Sequence, residues 1–207
     1  MPVVAGIIDI GTGNIHSLSR VLTTLGAGVI VCEDAFSVRK ADKLILPGVG
    51  HYGRACRHIN AKGMRGILEE EVLVQGKPVL GICLGMQLMV PKSEEDEQAE
   101  GLGLINGIAR RLTITDEFLY KVPHLGWNNL SIRQESPLLT GLTEKDEFYF
   151  MHSFCVDGVA ENAVAARTEY DSCFTSVISQ KNIFGVQFHP EKSHASGRKL
   201  IQNFLFL

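Results

Sequence analysis

Three side chains in this sequence have the types and settings of a thiol nucleophile with its base and orienting acid. Cys83 stands in Gly81-Ile82-Cys83-Leu84-Gly85. It joins an apolar run of strand length, Val79 to Ile82, to a segment, Leu84 to Met89, with helical spacing. The flanking glycines permit a tight strand-to-helix turn and close backbone approach, which would lift the thiol above a sheet. There it would face the first turn of a helix, whose unpaired N–H groups favour thiolate. A lone cysteine is more often a small buried apolar residue; the glycine frame and the strand–helix setting reverse that preference. His189 follows a second apolar run, Ile183 to Phe188, and precedes Pro190, which keeps the local backbone extended. An imidazole of ordinary pKa, about 6.5, passes protons either way at neutral pH. Such help is worth about 10²–10⁴ in rate. Glu191, two residues further along an extended chain, can point to the same side and hold the ring. Taken singly, the histidine and the glutamate read as surface residues; together with Cys83 they read as a triad.

A fourth stretch, Pro47-Gly48-Val49-Gly50, ends the apolar run Lys43 to Leu46. By itself it is a strand-terminating turn. Beside Cys83 its glycines would let the Val49 backbone N–H point inward and meet an oxyanion jointly with the N–H of Leu84. Loss of one such donor costs about 3 kcal/mol of barrier. Gly11-Thr12-Gly13-Asn14-Ile15-His16 invites a dinucleotide-binding reading, but the third glycine of G-x-G-x-x-G falls at His16, and the reading is rejected.

These stretches must be positioned by elements the sequence also predicts. Val3–Ile8, Val29–Cys32 and Lys43–Leu46 read as strands, and Val79–Ile82 as a fully buried one. Helical patterns separate them at Ile15–Leu25 and across roughly Ala55–Val74, the latter broken near Gly63 and Gly66. Alternating strands and helices predict βαβ units and a parallel sheet. Ligands bind outside the carboxyl ends of such strands. Gly11–Asn14, Pro47–Gly50, Cys83 and His189–Glu191 all fall there. The acidic segment 91–100 reads as a solvated, mobile loop. Short strand-like pieces follow at Gly103–Ile105, Ala109–Leu112, Asn128–Ile132, Phe148–His152, Ala163–Arg167 and Phe174–Ser179. Their close spacing predicts antiparallel hairpins attached to the parallel sheet. Ile183–Phe188 reads as a last strand and Ala195–Leu207 as a terminal helix. The fold class expected is α/β: a three-layer, doubly wound, mostly parallel sheet with antiparallel strands added in the second half.

The 207 residues suffice for one sizeable core, and a single domain over 1–207 is expected. An apolar fraction of 45% and a charged fraction of 21% are those of a soluble globular protein. A net charge of −3 gives no reason to expect nucleic acid or an acidic membrane surface as partner. Five cysteines without a C-x-x-C, and no H-E-x-x-H, argue against a disulfide framework or a structural metal, and no cofactor is expected. The N-terminus carries no basic leader and no apolar run reaches membrane-span length, so a cytoplasmic protein is expected.

With these residues in view, the sequence resembles the class I (triad) glutamine amidotransferases along its whole length. Leu46-Pro47-Gly48-Val49-Gly50, Gly81-Ile82-Cys83-Leu84-Gly85-Met86-Gln87 and Val186-Gln187-Phe188-His189-Pro190-Glu191 look like the three signatures of that family, in order. Asp9–Asn14, Pro123–Asn128, Tyr149–Ser153 and Glu191–Ser193 make it most like the glutaminase subunits of imidazole glycerol phosphate synthases. The resemblance implies a flavodoxin-like sheet, a Cys83 thioester with glutamine, proton transfer by His189, and orientation of His189 by Glu191. It implies that Gly50, Gln87, His152 and Ser153 line the glutamine pocket. It also implies an ammonia-accepting partner, a separate (β/α)₈-barrel cyclase subunit in a heterodimer, with Asn14, Trp127 and Lys192 near the docking face. Glutaminases of the same class serving anthranilate, guanylate or pyridoxal phosphate synthesis remain open alternatives on the triad alone. So does a partner-free hydrolase or peptidase; a silent docking module is a further alternative, against which the intact Cys83, His189 and Glu191 speak.

Overall fold

The computed structural model of the chain describes residues 2–207. In the first half, β1 (Val4–Ile8), α1 (Ile15–Thr24), β2 (Gly28–Cys32), α2 (Ala35–Lys40), β3 (Lys43–Leu46), α3 (Tyr52–Ala61) and α4 (Met64–Glu69) alternate. A π-helical turn, Glu70–Val74, then leads to β4 (Val79–Ile82) and α5 (Leu84–Leu88). In the second half come β5 (Lys92–Ser93), β6 (Ile108–Arg111), β7 (His124–Asn129), β8 (Ser131–Ile132), β9 (Glu147–His152) and β10 (Phe154–Asp157). They are followed by β11 (Val164–Tyr170), β12 (Ser172–Gln180), β13 (Ile183–Val186) and α6 (His194–Leu205).

The main sheet has eight strands in the order β2-β1-β3-β4-β13-β12-β11-β8. The first five run parallel, and β12, β11 and β8 continue the sheet antiparallel. Every residue of β3, β4 and β13 is buried, as expected for parallel strands covered on both faces. Successive side chains divide between two apolar clusters, the consequence of the two-residue strand period. Leu44 and Leu46 join Tyr52, Ile59, Ile67 and Leu88 from α3, α4 and α5. Ile45, Leu80 and Ile82 join Leu18, Leu22, Leu200 and Phe204 from α1 and α6. The doubly wound, three-layer arrangement predicted from the sequence is therefore present.

Several local expectations are corrected. Gly66 lies inside α4, and only Gly63, with φ of 65°, interrupts the helical region. α2 has no counterpart among the sequence expectations, since six residues are too few for periodicity to show. Its signal is a capping box: Asp34 Oδ1 accepts from the Ser37 N–H at 2.8 Å while Ser37 Oγ accepts from the Asp34 N–H at 3.3 Å. Gly103–Ile105 forms no strand, and Asn128–Ile132 is split between β7 and β8. The hairpin pieces do not all extend the main sheet: β10, β6 and β5 form a separate three-stranded sheet, and β7 pairs with β9 alone. The acidic segment is tied down rather than loose. Glu94 binds Arg110, Asp96 binds Arg57, and Glu95 Oε2 accepts from the Tyr52 N–H at 2.6 Å. Its charges had partners distant in sequence, so local composition alone misread it.

Candidate active site

The three motif stretches meet because β3, β4 and β13 are neighbours. Leu46 pairs with Gly81, and Ile82 pairs with Val186. The chain leaves each strand at the same carboxyl edge, carrying Pro47–Gly50, Cys83 and His189 respectively. The Cys83 N–H bonds back to Val186 O at 2.8 Å, fixing the nucleophile candidate to the strand that delivers the histidine.

Cys83 itself bears the strain of the strand-to-helix corner, with φ of 52° and ψ of −108°. Such backbone costs a non-glycine residue about 1–3 kcal/mol. The flanking glycines serve packing instead. A Cβ on Gly85 would lie 1.6 Å from Leu46 O, and one on Gly81 would lie 2.7 Å from the Met86 N. These two positions let α5 sit directly on the ends of β3 and β4. Leu84 is the first residue of α5, so its N–H has no acceptor within the helix and is available to a ligand.

His189 Nδ1–H donates to Glu191 Oε1 at 3.0 Å, and the two side chains are 2% and 6% exposed. The sequence predicts extended chain at Glu191. Pro190–Lys192 is instead a 3₁₀ turn, closed by the Lys192 N–H on His189 O at 3.0 Å, and this turn brings the carboxylate back to the ring. The backbone of His189 is clamped as well. Its N–H donates to Tyr149 O at 2.8 Å. Ser193 Oγ donates to His189 O at 2.7 Å and accepts from the Tyr149 N–H at 3.0 Å. His189 Nε2 is buried and without a hydrogen-bond partner, on the side where Cys83 lies. Burial opposes a charged ring there, but the Cys83 sulfur and the Glu191 carboxylate outweigh it and raise the His189 pKa to about 10.

A cavity of about 180 Å³ opens at Cys83 and is lined by Val49, Gly50, Leu84, Gln87, His152 and Ser153, all of them predicted site residues. Glu95, Pro123 and Met151 line it too; none of them is a predicted site residue, although Pro123 and Met151 lie in stretches that carry the resemblance. Gly50 has φ of 112°, a conformation reserved for glycine. The Gln87 amide nitrogen donates to Phe154 O at 2.8 Å and to Gln187 Oε1 at 3.3 Å, leaving its oxygen for a ligand. His152 is committed within the protein: its Nδ1–H donates to Phe154 O at 2.9 Å. Its Nε2 must then accept from His124 Nδ1–H at 3.2 Å. Burial pushes His152 down to about 3 and His124 to about 4, so both rings are neutral.

Of the residues expected near a docking face, Asn14 lines a narrow crevice with Val49, His189 and Glu191, and its Oδ1 caps α1 by accepting from the Ser17 N–H. Trp127, 44% exposed, stacks on His194 with centroids 4.9 Å apart and meets Tyr149 edge-on. Lys192 Nζ lies 5.5 Å from the Tyr149 ring. Trp127 and Lys192 thus gather on the residue whose backbone holds His189. Among the described residues, no group of three or more His, Cys, Asp or Glu is arranged to hold a metal ion. No described helix is long and apolar enough to cross a membrane.

Comparison with known proteins bears on the fold and the family. Two solved structures share the fold: a putative GMP synthase component from Thermoplasma acidophilum and a glutamine amidotransferase. Their TM-scores are 0.75 and 0.76 at 20% and 18% identity, covering 100% and 98% of this chain and 94% and 97% of theirs. The imidazole glycerol phosphate synthase subunit HisH of Bacillus subtilis is 44% identical over 96% of this chain and 94% of its own. The HisH 1 subunit of Campylobacter jejuni is 40% identical over 97% and 98%. The profile of the family described as Glutamine amidotransferase class-I matches residues 6–207. A match of that extent, with relatives this similar end to end, establishes that the chain belongs to the class-I glutamine amidotransferase family.

Proposed function

We propose that this chain is the glutaminase subunit of an imidazole glycerol phosphate synthase, with residues 1–207 acting as one catalytic domain and Cys83 as nucleophile. The Cys83 thiolate attacks the carboxamide carbon of glutamine, and the C=O electron pair moves onto oxygen. The N–H groups of Leu84 and Val49 receive that oxyanion. As the tetrahedral species collapses, the C–N bond breaks and His189 delivers a proton to the departing nitrogen, giving ammonia and a thioester. A water then attacks the thioester, losing its proton to His189, and the C–S bond breaks to release glutamate. Glu191 holds the Nδ1–H throughout and stabilises the charged ring. Gly50, Gln87 Oε1 and Ser153 hold the amino-acid end of the substrate. Glu95 is the acidic side chain in the cavity that complements an α-ammonium group. His152 shapes the cavity wall, since both its ring nitrogens are engaged.

The observation that carries this reading is the convergence of Cys83 and the buried His189–Glu191 pair, 3.0 Å apart, at the shared edge of β4 and β13. The ammonia passes to a cyclase subunit built as a (β/α)₈ barrel, which docks over Asn14, Trp127 and Lys192, in the cytoplasm. The names of the HisH relatives support the pathway. The test is glutamate release from glutamine by the chain alone, then with the barrel subunit and its nucleotide substrate. Release that rises in the mixture and vanishes in Cys83→Ala is expected. Strong release by the chain alone with no response to the barrel would remove the pathway assignment. Release persisting in Cys83→Ala would remove the nucleophile.

A further inference from the structure

Gln187 sits between β13 and His189, is fully buried, and belongs to a motif that gives it no role of its own. Its amide orientation follows from a chain of contacts that starts at a group able only to accept. Phe154 O, a backbone carbonyl, takes an N–H from Gln87 Nε2 at 2.8 Å. The second hydrogen of that nitrogen faces Gln187 Oε1 at 3.3 Å. Gln187 therefore turns its own Nε2 the other way, to 3.6 Å from Cys83 Sγ. Reversing Gln187 would set NH₂ against NH₂. Reversing Gln87 would set its oxygen against Phe154 O. Only one assignment satisfies the network. The backbone of Gln187 is fixed too, by its N–H on Ser176 O at 3.0 Å.

The sulfur accordingly has an acceptor on one side and a donor on the other. Met151 O, at 3.7 Å, can receive the proton of a thiol but offers nothing to a thiolate. The Gln187 N–H is the reverse: a weak partner for a thiol and a strong one for an anion, more so in a buried site. We propose that Gln187 is a further catalytic residue, donating an Nε2–H hydrogen bond to the Cys83 sulfur that holds it as thiolate and aims it into the cavity. This rests on the reading of Cys83 as the nucleophile.

The test uses the full chain. Gln187→Met keeps the length of the side chain and removes the donor; Gln187→Glu keeps its shape and puts an oxygen toward the sulfur. Alkylation of Cys83 by iodoacetamide, read by peptide mapping so that exposed Cys173 is scored separately, is compared at one pH. A charge-assisted hydrogen bond predicts that Gln187→Met lowers the Cys83 alkylation rate about 10- to 100-fold. With the barrel subunit present, kcat should fall in parallel and KM change by less than about 2-fold. Gln187→Glu should fall at least as far. A purely structural role would lower the melting temperature and leave alkylation in the folded protein unchanged. Wild-type alkylation in either folded variant overturns the proposal, and Gln187→Glu decides it if Gln187→Met does not fold. Should the wild-type chain release no glutamate even with the barrel subunit and its nucleotide substrate, the nucleophile reading fails separately, while alkylation still reports the Gln187–sulfur contact.

Discussion

His189 and His152 are hidden to nearly the same degree, 1% and 5% exposed, and both lie at the Cys83 site. Their charge states differ completely. His152 sits among Phe150, Phe174 and the ring of His124; the Phe154 carbonyl on Nδ1 favours an added proton, but burial, with His124 and His189 nearby, opposes it more strongly. Burial wins, and its pKa falls to about 3. His189 experiences the same burial, but Cys83 and Glu191 face its two nitrogens and its pKa rises to about 10. The difference teaches that depth alone makes an inert imidazole; a carboxylate bonded to Nδ1 and a sulfur on the other side of the ring make a charged one. The cysteines repeat the lesson. Burial pushes the thiols of Cys32 and Cys56 up to about 11 and that of Cys155 to about 12, where the charged neighbours are Lys77, Arg57, Arg65 and carboxylates rather than an imidazole.

Removing one of the two groups that separate the histidines, the Glu191 carboxylate, should have the largest effect. Glu191→Gln keeps the shape beside His189 and loses the anion, and glutamine hydrolysis should fall about 10³–10⁴-fold in kcat. A loss under about 10-fold would mean the contact is not what sets the His189 charge. Stability against pH sharpens the contrast next, since the two regions have opposite signs. The depressed His124 and His152 favour the folded state while neutral, so each should cost about 1.4 kcal/mol per pH unit as pH falls below about 6.5. Those losses should level off near pH 4 for His124 and pH 3 for His152. The raised His189 contributes stability that is fully present below about 6.5 and lost as pH climbs through about 10. Urea unfolding across this range, with His124→Asn removing one histidine from the acid limb, measures both. The smallest effect lies outside the pocket. Lys192 is exposed beside Tyr149, so Lys192→Ala should change stability by less than about 0.5 kcal/mol. It should nonetheless alter the rise in glutamate release when the barrel subunit is added; an unchanged rise would detach this residue from docking.

Much of the chemistry was legible because it is written locally. A cysteine between glycines at a strand–helix junction, and a histidine after a buried strand, carry their signals within a few residues. The parallel strands before Cys83 were legible for the same reason: burial on both faces demands continuous apolar runs in β3 and β4, and the edge strand β2 is still a run of apolar residues although Val31 is exposed. Less local features were misread. The acidic segment looked solvated until Arg57, Arg110 and the Tyr52 N–H met it from elsewhere. The pairing of the second half also escaped, because short alternating strands fit several partners equally well.

By itself, the sequence determined which residues could react, which runs were strands, and the winding of helices over both faces of a sheet, since side-chain type and period are properties of short segments. Only the tertiary structure decided that β13 lies beside β4, that a 3₁₀ turn rather than extended chain joins Glu191 to His189, and that Gln187 directs its nitrogen at the sulfur. Those are relations between segments as far apart as Gln87 and Gln187, and charge and hydrogen bonding depend on distance in space, which spacing along the chain does not encode.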